Sequence, residues 1–140
     1  MGSSKLFFLI DDDPDDQYIF QMALSDISNQ IQCQTADNGV DALAWLHKES
    51  GYKPDFIFLD LNMPLMNGKE CLKEIVKSKS LRSIPVVIYS TSSNPQEIEA
   101  CMQLGATDFV TKPTSVSKLA SILCRFLSST PSRYTTGLNF

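Results

Sequence analysis

Asp11 and Asp12 follow the apolar run Leu6–Ile10, and Asp60 follows the apolar run Phe56–Leu59. Ser90 follows the run 86–89, and Lys112 comes two residues after the short predicted strand 107–110. Side chains able to do chemistry therefore stand where strands are expected to stop. Carboxylates that share a crevice repel one another, and the repulsion is relieved by a retained proton or a bound cation. Oxygen ligands with no His or Cys favour a hard ion, Mg²⁺ rather than Zn²⁺. Mg²⁺ takes one or two carboxylates, keeps waters and recruits phosphate oxygens. A carboxylate beside a metal ion and an ammonium group is a suitable phosphoryl acceptor, because Asp forms acyl phosphates as covalent intermediates. Such a reaction is driven by positioning and charge neutralisation. Asp60 is the candidate acceptor, with Asp11 and Asp12 beside it.

The elements that would hold these residues alternate. Leu6–Ile10, Phe56–Leu59 and 86–89 are apolar throughout, as strands buried on both faces are. The segment 31–36 alternates apolar with polar and predicts a strand nearer the sheet edge. Pro14 suits a first helical turn, and Tyr18, Ile19, Met22, Ala23 and Ile27 recur after it at helical spacing. Further helices are predicted at 39–47, from Asn67-Gly68, from the cap Asn94-Pro95 to Gly105, and from the cap Ser115. The order is β-α five times, which predicts an α/β fold with a parallel sheet and helices on both faces. In such sheets ligands bind beyond the carboxyl ends of the strands, where the strand order reverses. With a 2-1-3-4-5 order that point lies between the first and third strands, which brings Asp11, Asp12 and Asp60 together.

Composition narrows the classes. The 140 residues suit one domain, expected at 1–128, with a polar tail at 129–140 and no output domain. The net charge of −4 is local: five of sixteen acids fall at Asp11, Asp12, Asp13, Asp15 and Asp16. No basic stripe marks nucleic-acid binding. Cys33, Cys71, Cys101 and Cys124 form no metal-ligand pair, and the reading is of buried free thiols in a reducing cytoplasm. No run reaches the ~18–20 apolar residues of a membrane span.

The motifs Leu9-Ile-Asp-Asp-Asp-Pro14, Phe58-Leu-Asp-Leu-Asn-Met-Pro64 with Asn67-Gly68, Ser90-Thr91 and Thr111-Lys-Pro113 are each weak alone. In this order, each at the end of a predicted strand, they are specific. Over residues 5–127 the chain resembles the receiver domains of bacterial response regulators, including the chemotaxis regulator, and the stretch 59–68 is similar to receivers found beside bacterial phytochromes. The resemblance implies a flavodoxin-like five-stranded sheet with five helices. It also implies roles: Asp60 as phosphoacceptor, Asp11 and Asp12 as the acidic pair with Asp12 in direct Mg²⁺ contact, and Asn62 as the metal ligand through its backbone carbonyl. Ser90 and Thr91 stand at the switch hydroxyl position, Phe109 at the aromatic switch position, and Lys112 pairs with the phosphoryl group. The implied donor is a histidine kinase or histidine phosphotransfer protein, and the implied output is contact with another protein, of unknown identity. The Lys112–Pro113 bond is expected to be cis on the same ground.

Other readings of the same residues are weaker. Asp13, Asp15 and Asp16 read as a solvated acidic run favoured by a helix dipole. An EF-hand loop fails, because Asp16 stands where Gly is required and Met22 where Glu is required. An aspartyl-phosphate hydrolase of the haloacid dehalogenase type needs a second Asp two residues after the first, where Asn62 stands. A receiver-like binding module that never takes phosphate has no need of Asp12, Asp60, Ser90 and Lys112 together.

Overall fold

The computed structural model describes residues 5–48 and 53–128; the predicted polar tail at 129–140 lies outside them. Five strands and five helices alternate: β1 Leu6–Ile10, α1 Pro14–Ile27, β2 Gln32–Ala36, α2 Gly39–Lys48, β3 Phe56–Leu59, α3 Gly68–Lys77, β4 Val86–Ser90, α4 Pro95–Leu104, β5 Asp108–Thr111 and α5 Val116–Ser128. The strands form one parallel sheet in the order β2-β1-β3-β4-β5. The fold is the flavodoxin-like one that the motif order implied.

Two apolar layers hold the sheet. Because successive side chains of a strand point to opposite faces, the apolar runs feed both. Phe7, Leu9, Phe56, Phe58, Val87 and Tyr89 pack against Phe20, Ala23 and Leu24 of α1 and Leu119 and Leu123 of α5. Phe20, Phe58 and Tyr89 meet edge to face there at 5.2–6.1 Å between ring centroids, a geometry worth roughly 0.5–1.5 kcal/mol per pair beyond its buried area. Phe8, Ile10, Ile57, Leu59, Val86 and Ile88 face the other way, toward α2, α3 and α4.

Helix ends follow their local chemistry. Asp13 caps α1 by accepting from the Asp15 N–H, with Pro14 behind it. Asn67 and Glu70 form a reciprocal capping box at α3, and Asn94 caps α4. Gly105 ends α4 at φ 117°, a left-handed conformation that glycine adopts without a Cβ penalty.

The packing selects the buried face of α1 and corrects the reading of four buried thiols. The buried stripe of α1 is Phe20, Ala23 and Leu24, whereas Tyr18 and Met22 are 63% and 39% exposed. Apolar residues occur on more than one side of this helix, and its packing against both the sheet and α5 selects the stripe. The cysteines also do not share one environment. Cys71 and Cys101 are buried, Cys33 is half-buried on the edge strand β2, and Cys124 is exposed on α5. Burial pushes the Cys33 and Cys71 thiols up to about 12.

Candidate functional site

The site lies at the carboxyl ends of β1, β3, β4 and β5, and the backbone ladder runs one residue past three of these strands to hold it. Asp11 N–H donates to Ala36 O at 3.0 Å, Asp60 N–H to Ile10 O at 2.9 Å, and Lys112 N–H to Ser90 O at 2.8 Å. Each functional side chain thus projects from the last rung of a rigid sheet, and this precision is hard to obtain from a free loop. The loop after Asp60 is pinned by Gly68. A Cβ there would stand 2.3 Å from the Asp60 carbonyl oxygen and 2.7 Å from Leu61 Cα, so only glycine lets α3 start this close. Leu65 in the same loop is exposed and adopts φ 69°, a strained conformation for a side chain with a Cβ.

Asp11, Asp12 and Asp60 each offer a carboxylate oxygen to one cluster in which those atoms lie within 4.8 Å of one another. Asp11 and Asp60 are buried and Asp12 is exposed at the mouth. Asp11 Oδ1 accepts from the Asp13 N–H at 3.0 Å. Its Oδ2 is buried and accepts no hydrogen bond, although Lys112 Nζ stands 2.9 Å away, off hydrogen-bonding angles. Three clustered carboxylates, with no His or Cys among them, are the donor set of a hard cation. The cluster can therefore hold a divalent metal ion.

Lys112 is the cationic centre. Its side chain is 8% exposed, and Nζ lies 2.7 Å from Asp16 Oδ2, 2.9 Å from Asp11 Oδ2 and 3.7 Å from Asp60 Oδ2. Nζ also stands 5.4 Å from the centre of the Tyr89 ring, within the range of a cation–π contact. Burial alone would lower its pKa, but the contacts with Asp16 and Asp11 outweigh that and raise it, so the ammonium is held charged. Burial pushes Asp60 up to about 6; Lys112 and the backbone N–H groups of Asn62 and Leu61 pull it down, and Asp11 pushes it further up. Asp11 is raised as well, again chiefly by burial.

Ser90 is buried at the end of β4. The register pairs Leu59 with Ile88, so Ser90 stands one residue further along its strand than Asp60. Its Oγ accepts from the Ser92 N–H at 3.2 Å, so the hydroxyl keeps its own hydrogen to donate. Thr91 and Asn62 are exposed in the loops that follow β4 and β3. Phe109 is opposite Ile88 in the register and packs, partly buried, against the α2–α3–α4 layer. Strand alternation puts Ser90 on that same face.

The sequence pattern did not reveal Asp16. It is no solvated helix-end acid: it makes the shortest of Lys112's ion pairs across 96 positions of sequence. Nothing local could have signalled this, since only the closing of β5 against β4 brings Lys112 over α1. The expected cis bond before Pro113 is also corrected, because no cis peptide bond occurs among the described residues. Lys112 continues the ladder through its N–H to Ser90 O, and its four-carbon stem spans the remaining distance to the carboxylates.

The chain is similar to known proteins over most of its length. The response regulator receiver domain family matches residues 7–123. The rice two-component response regulator ORR1 is 36% identical over 110 residues, which are 75% of this chain and 48% of that protein; this chain thus spans about half the length of that relative. Response regulator Rcp1 of Synechocystis is 30% identical over 119 residues, 82% of this chain and 81% of its own length. The Mn²⁺-bound form of Rcp1 superposes with a TM-score of 0.73 at 28% identity, covering 96% of this chain and 99% of that one. The phosphorylated cyanobacterial phytochrome response regulator RcpA superposes at 0.80 with 34% identity, covering 89% of this chain and 91% of that one.

Proposed function

We propose, on the premise that this chain belongs to the response regulator receiver domain family of two-component signalling proteins, that Asp60 is its phosphoacceptor. The observation that carries the reading is that Asp60 shares one carboxylate cluster able to hold a cation with Asp11 and Asp12 and lies 3.7 Å from the buried ammonium of Lys112. Receiver domains are phosphorylated by histidine kinases. Here the donor is a phosphohistidine on such a kinase or on a histidine phosphotransfer protein. An oxygen of the Asp60 carboxylate attacks phosphorus in line, the P–N bond breaks, and the histidine leaves with the electron pair. Lys112 neutralises charge on the transferring group, and the Ser90 hydroxyl donates to one of its oxygens.

Asp11, Asp12, Asp60 and the backbone carbonyl of Asn62 would hold Mg²⁺, which when bound supplies positive charge to the phosphoryl oxygens. The acyl phosphate carries about −1.5 to −2 charge where the carboxylate carried −1. Ser90 and Thr91 are drawn toward it, Phe109 follows on the same face, and the surface around α4 and β5 changes shape. The message leaves by contact with another protein in the cytoplasm; no helix among the described residues is long and apolar enough to cross a membrane.

Incubation with a phosphorylated histidine kinase or a small acyl-phosphate donor, with Mg²⁺, should add about 80 Da, the mass of a phosphoryl group on a carboxylate. The adduct should be released by hydroxylamine. Asp60→Asn should not be labelled. Undiminished labelling of that variant would move the acceptor elsewhere and end this assignment.

A further inference from the structure

The Lys112 ammonium group sits nearer to Asp16 than to Asp60. It donates a hydrogen bond to Asp16 Oδ2 at 2.7 Å, while Asp60 Oδ2 lies at 3.7 Å, beyond hydrogen-bond distance. Asp16 lies in the first turn of α1, where the helix dipole alone would satisfy a carboxylate in water. Its side chain is 28% exposed, whereas the Lys112 side chain is 8% exposed. The ammonium is therefore held between Asp16 at the outer, wetter edge of the crevice and buried Asp11 at 2.9 Å, and stands off from Asp60.

We propose that Asp16 is a positioning residue that competes with the phosphoryl group on Asp60 for the Lys112 ammonium, and so weakens the phosphorylated state relative to the resting one. The inference rests on the reading of Asp60 as phosphoacceptor. In the resting state Lys112 is divided among three carboxylates. An acyl phosphate at Asp60 carries about −1.5 to −2 charge in place of the carboxylate's −1, spread over oxygens further from the backbone, and Lys112 must turn inward to meet it. Its hydrogen bond to Asp16 breaks as it turns, and the cost of breaking it is subtracted from the affinity of the site for a phosphoryl group. Partial exposure keeps that cost small, because an ion pair open to water on one side is screened. Asp16 therefore adjusts the lifetime of the signal without touching the reacting atoms.

The test is titration with fluoroberyllate, which takes the place of a phosphoryl group on a carboxylate, in saturating Mg²⁺ at physiological salt. Amide NMR shifts of residues around Asp60 report binding. Asp16→Asn should bind fluoroberyllate about fivefold more tightly than the wild type, the upper end for a partly exposed pair. Asp15→Asn removes the same charge one residue away, on an exposed position that does not touch Lys112, and should give less than half that effect. Asp16→Glu should keep the wild-type affinity. In a Lys112→Met background the Asp16→Asn change should have no more effect than Asp15→Asn. Equal effects of Asp16→Asn and Asp15→Asn, or survival of the fivefold gain without Lys112, overturn the proposal and leave only general charge. Failure of the wild type to bind fluoroberyllate at all overturns the Asp60 assignment itself, and the proposal with it.

Discussion

Replacing Asp60 by Asn should stabilise the metal-free protein at neutral pH, although it removes the group on which phosphorylation is proposed to occur. The Asp60 carboxyl is raised from 3.8 to about 6, first by burial. A raised carboxyl pKa means that the folded state prefers the neutral acid. The contribution of Asp60 to stability is therefore fully present below about pH 4, declines as pH rises toward 6, and is lost above that. At 1.36 kcal/mol per unit the rise corresponds to about 3 kcal/mol at pH 7. Asn has nearly the shape of the neutral acid and carries no charge at any pH.

In chelator, thermal or urea unfolding should therefore show wild type and Asp60→Asn about equally stable at pH 4. At pH 7 the variant should lead by about 3 kcal/mol, or roughly 10 °C in Tm for a domain of this size. Asp11, also raised, leaves part of the downward slope in both proteins. Added Mg²⁺ should narrow the gap by stabilising the wild type, by roughly 1.4 kcal/mol at tenfold excess over Kd, while the variant gains less. Parallel pH curves for the two proteins, or a variant less stable than wild type at pH 7 in chelator, would refute the argument that Asp60 is held at an energetic cost.

Three further outcomes follow from the same geometry. Asp12→Asn should abolish the stabilisation by Mg²⁺, whereas Asp15→Asn should keep it, as measured by melting with and without the ion; equal losses would break the assignment of Asp12 to the metal cluster. Gly68→Ala should cost about 2 kcal/mol or more in urea unfolding, because its Cβ would meet backbone atoms of Asp60 and Leu61 that cannot move aside cheaply. Ser90→Ala should leave Asp60 able to take a phosphoryl group or fluoroberyllate but remove the NMR shift changes across residues 91–109; survival of those distal shifts would route the coupling through Lys112 instead.

How much of this was legible in the sequence depended on whether a signal was local. Leu6–Ile10 and Phe56–Leu59 are found where their apolar runs end, because a strand buried on both faces has no polar residue to blur its limits. The edge elements shifted by a residue: β2 begins at Gln32 and β5 runs from Asp108 to Thr111, since one-sided burial leaves the pattern weaker. Asp11, Asp12, Asp60 and Lys112 come together as the strand order required. The capping box of Asn67 and Glu70 has a readable spacing and went unread beyond the Asn67-Gly68 start. Asp16 and the exposed side of α1 were not legible. Both depend on what packs over the helix, and a 3.6-residue period does not specify the partner.

The two faces of the sheet divide the work of rigidity and response. On the α1–α5 side, interlocking rings of Phe7, Phe20, Phe56, Phe58, Tyr89 and Phe126 leave little freedom, and this is the side from which Asp16 reaches Lys112. On the other side α4 buries only Cys101 among its ten residues. Besides the packing of Cys101 and Leu104, it is joined to α3 by the Lys69–Glu97 pair at 3.2 Å, with both side chains more than a third exposed, an ion pair worth little in water. Ser90 and Phe109 belong to this loosely held side. A change of charge at Asp60 therefore meets resistance on one face and a weakly anchored helix on the other. Local opening is drawn from the least stable elements, so the rearrangement proposed to follow phosphorylation would be directed to α4 by the difference in packing, with no need for a dedicated path of contacts.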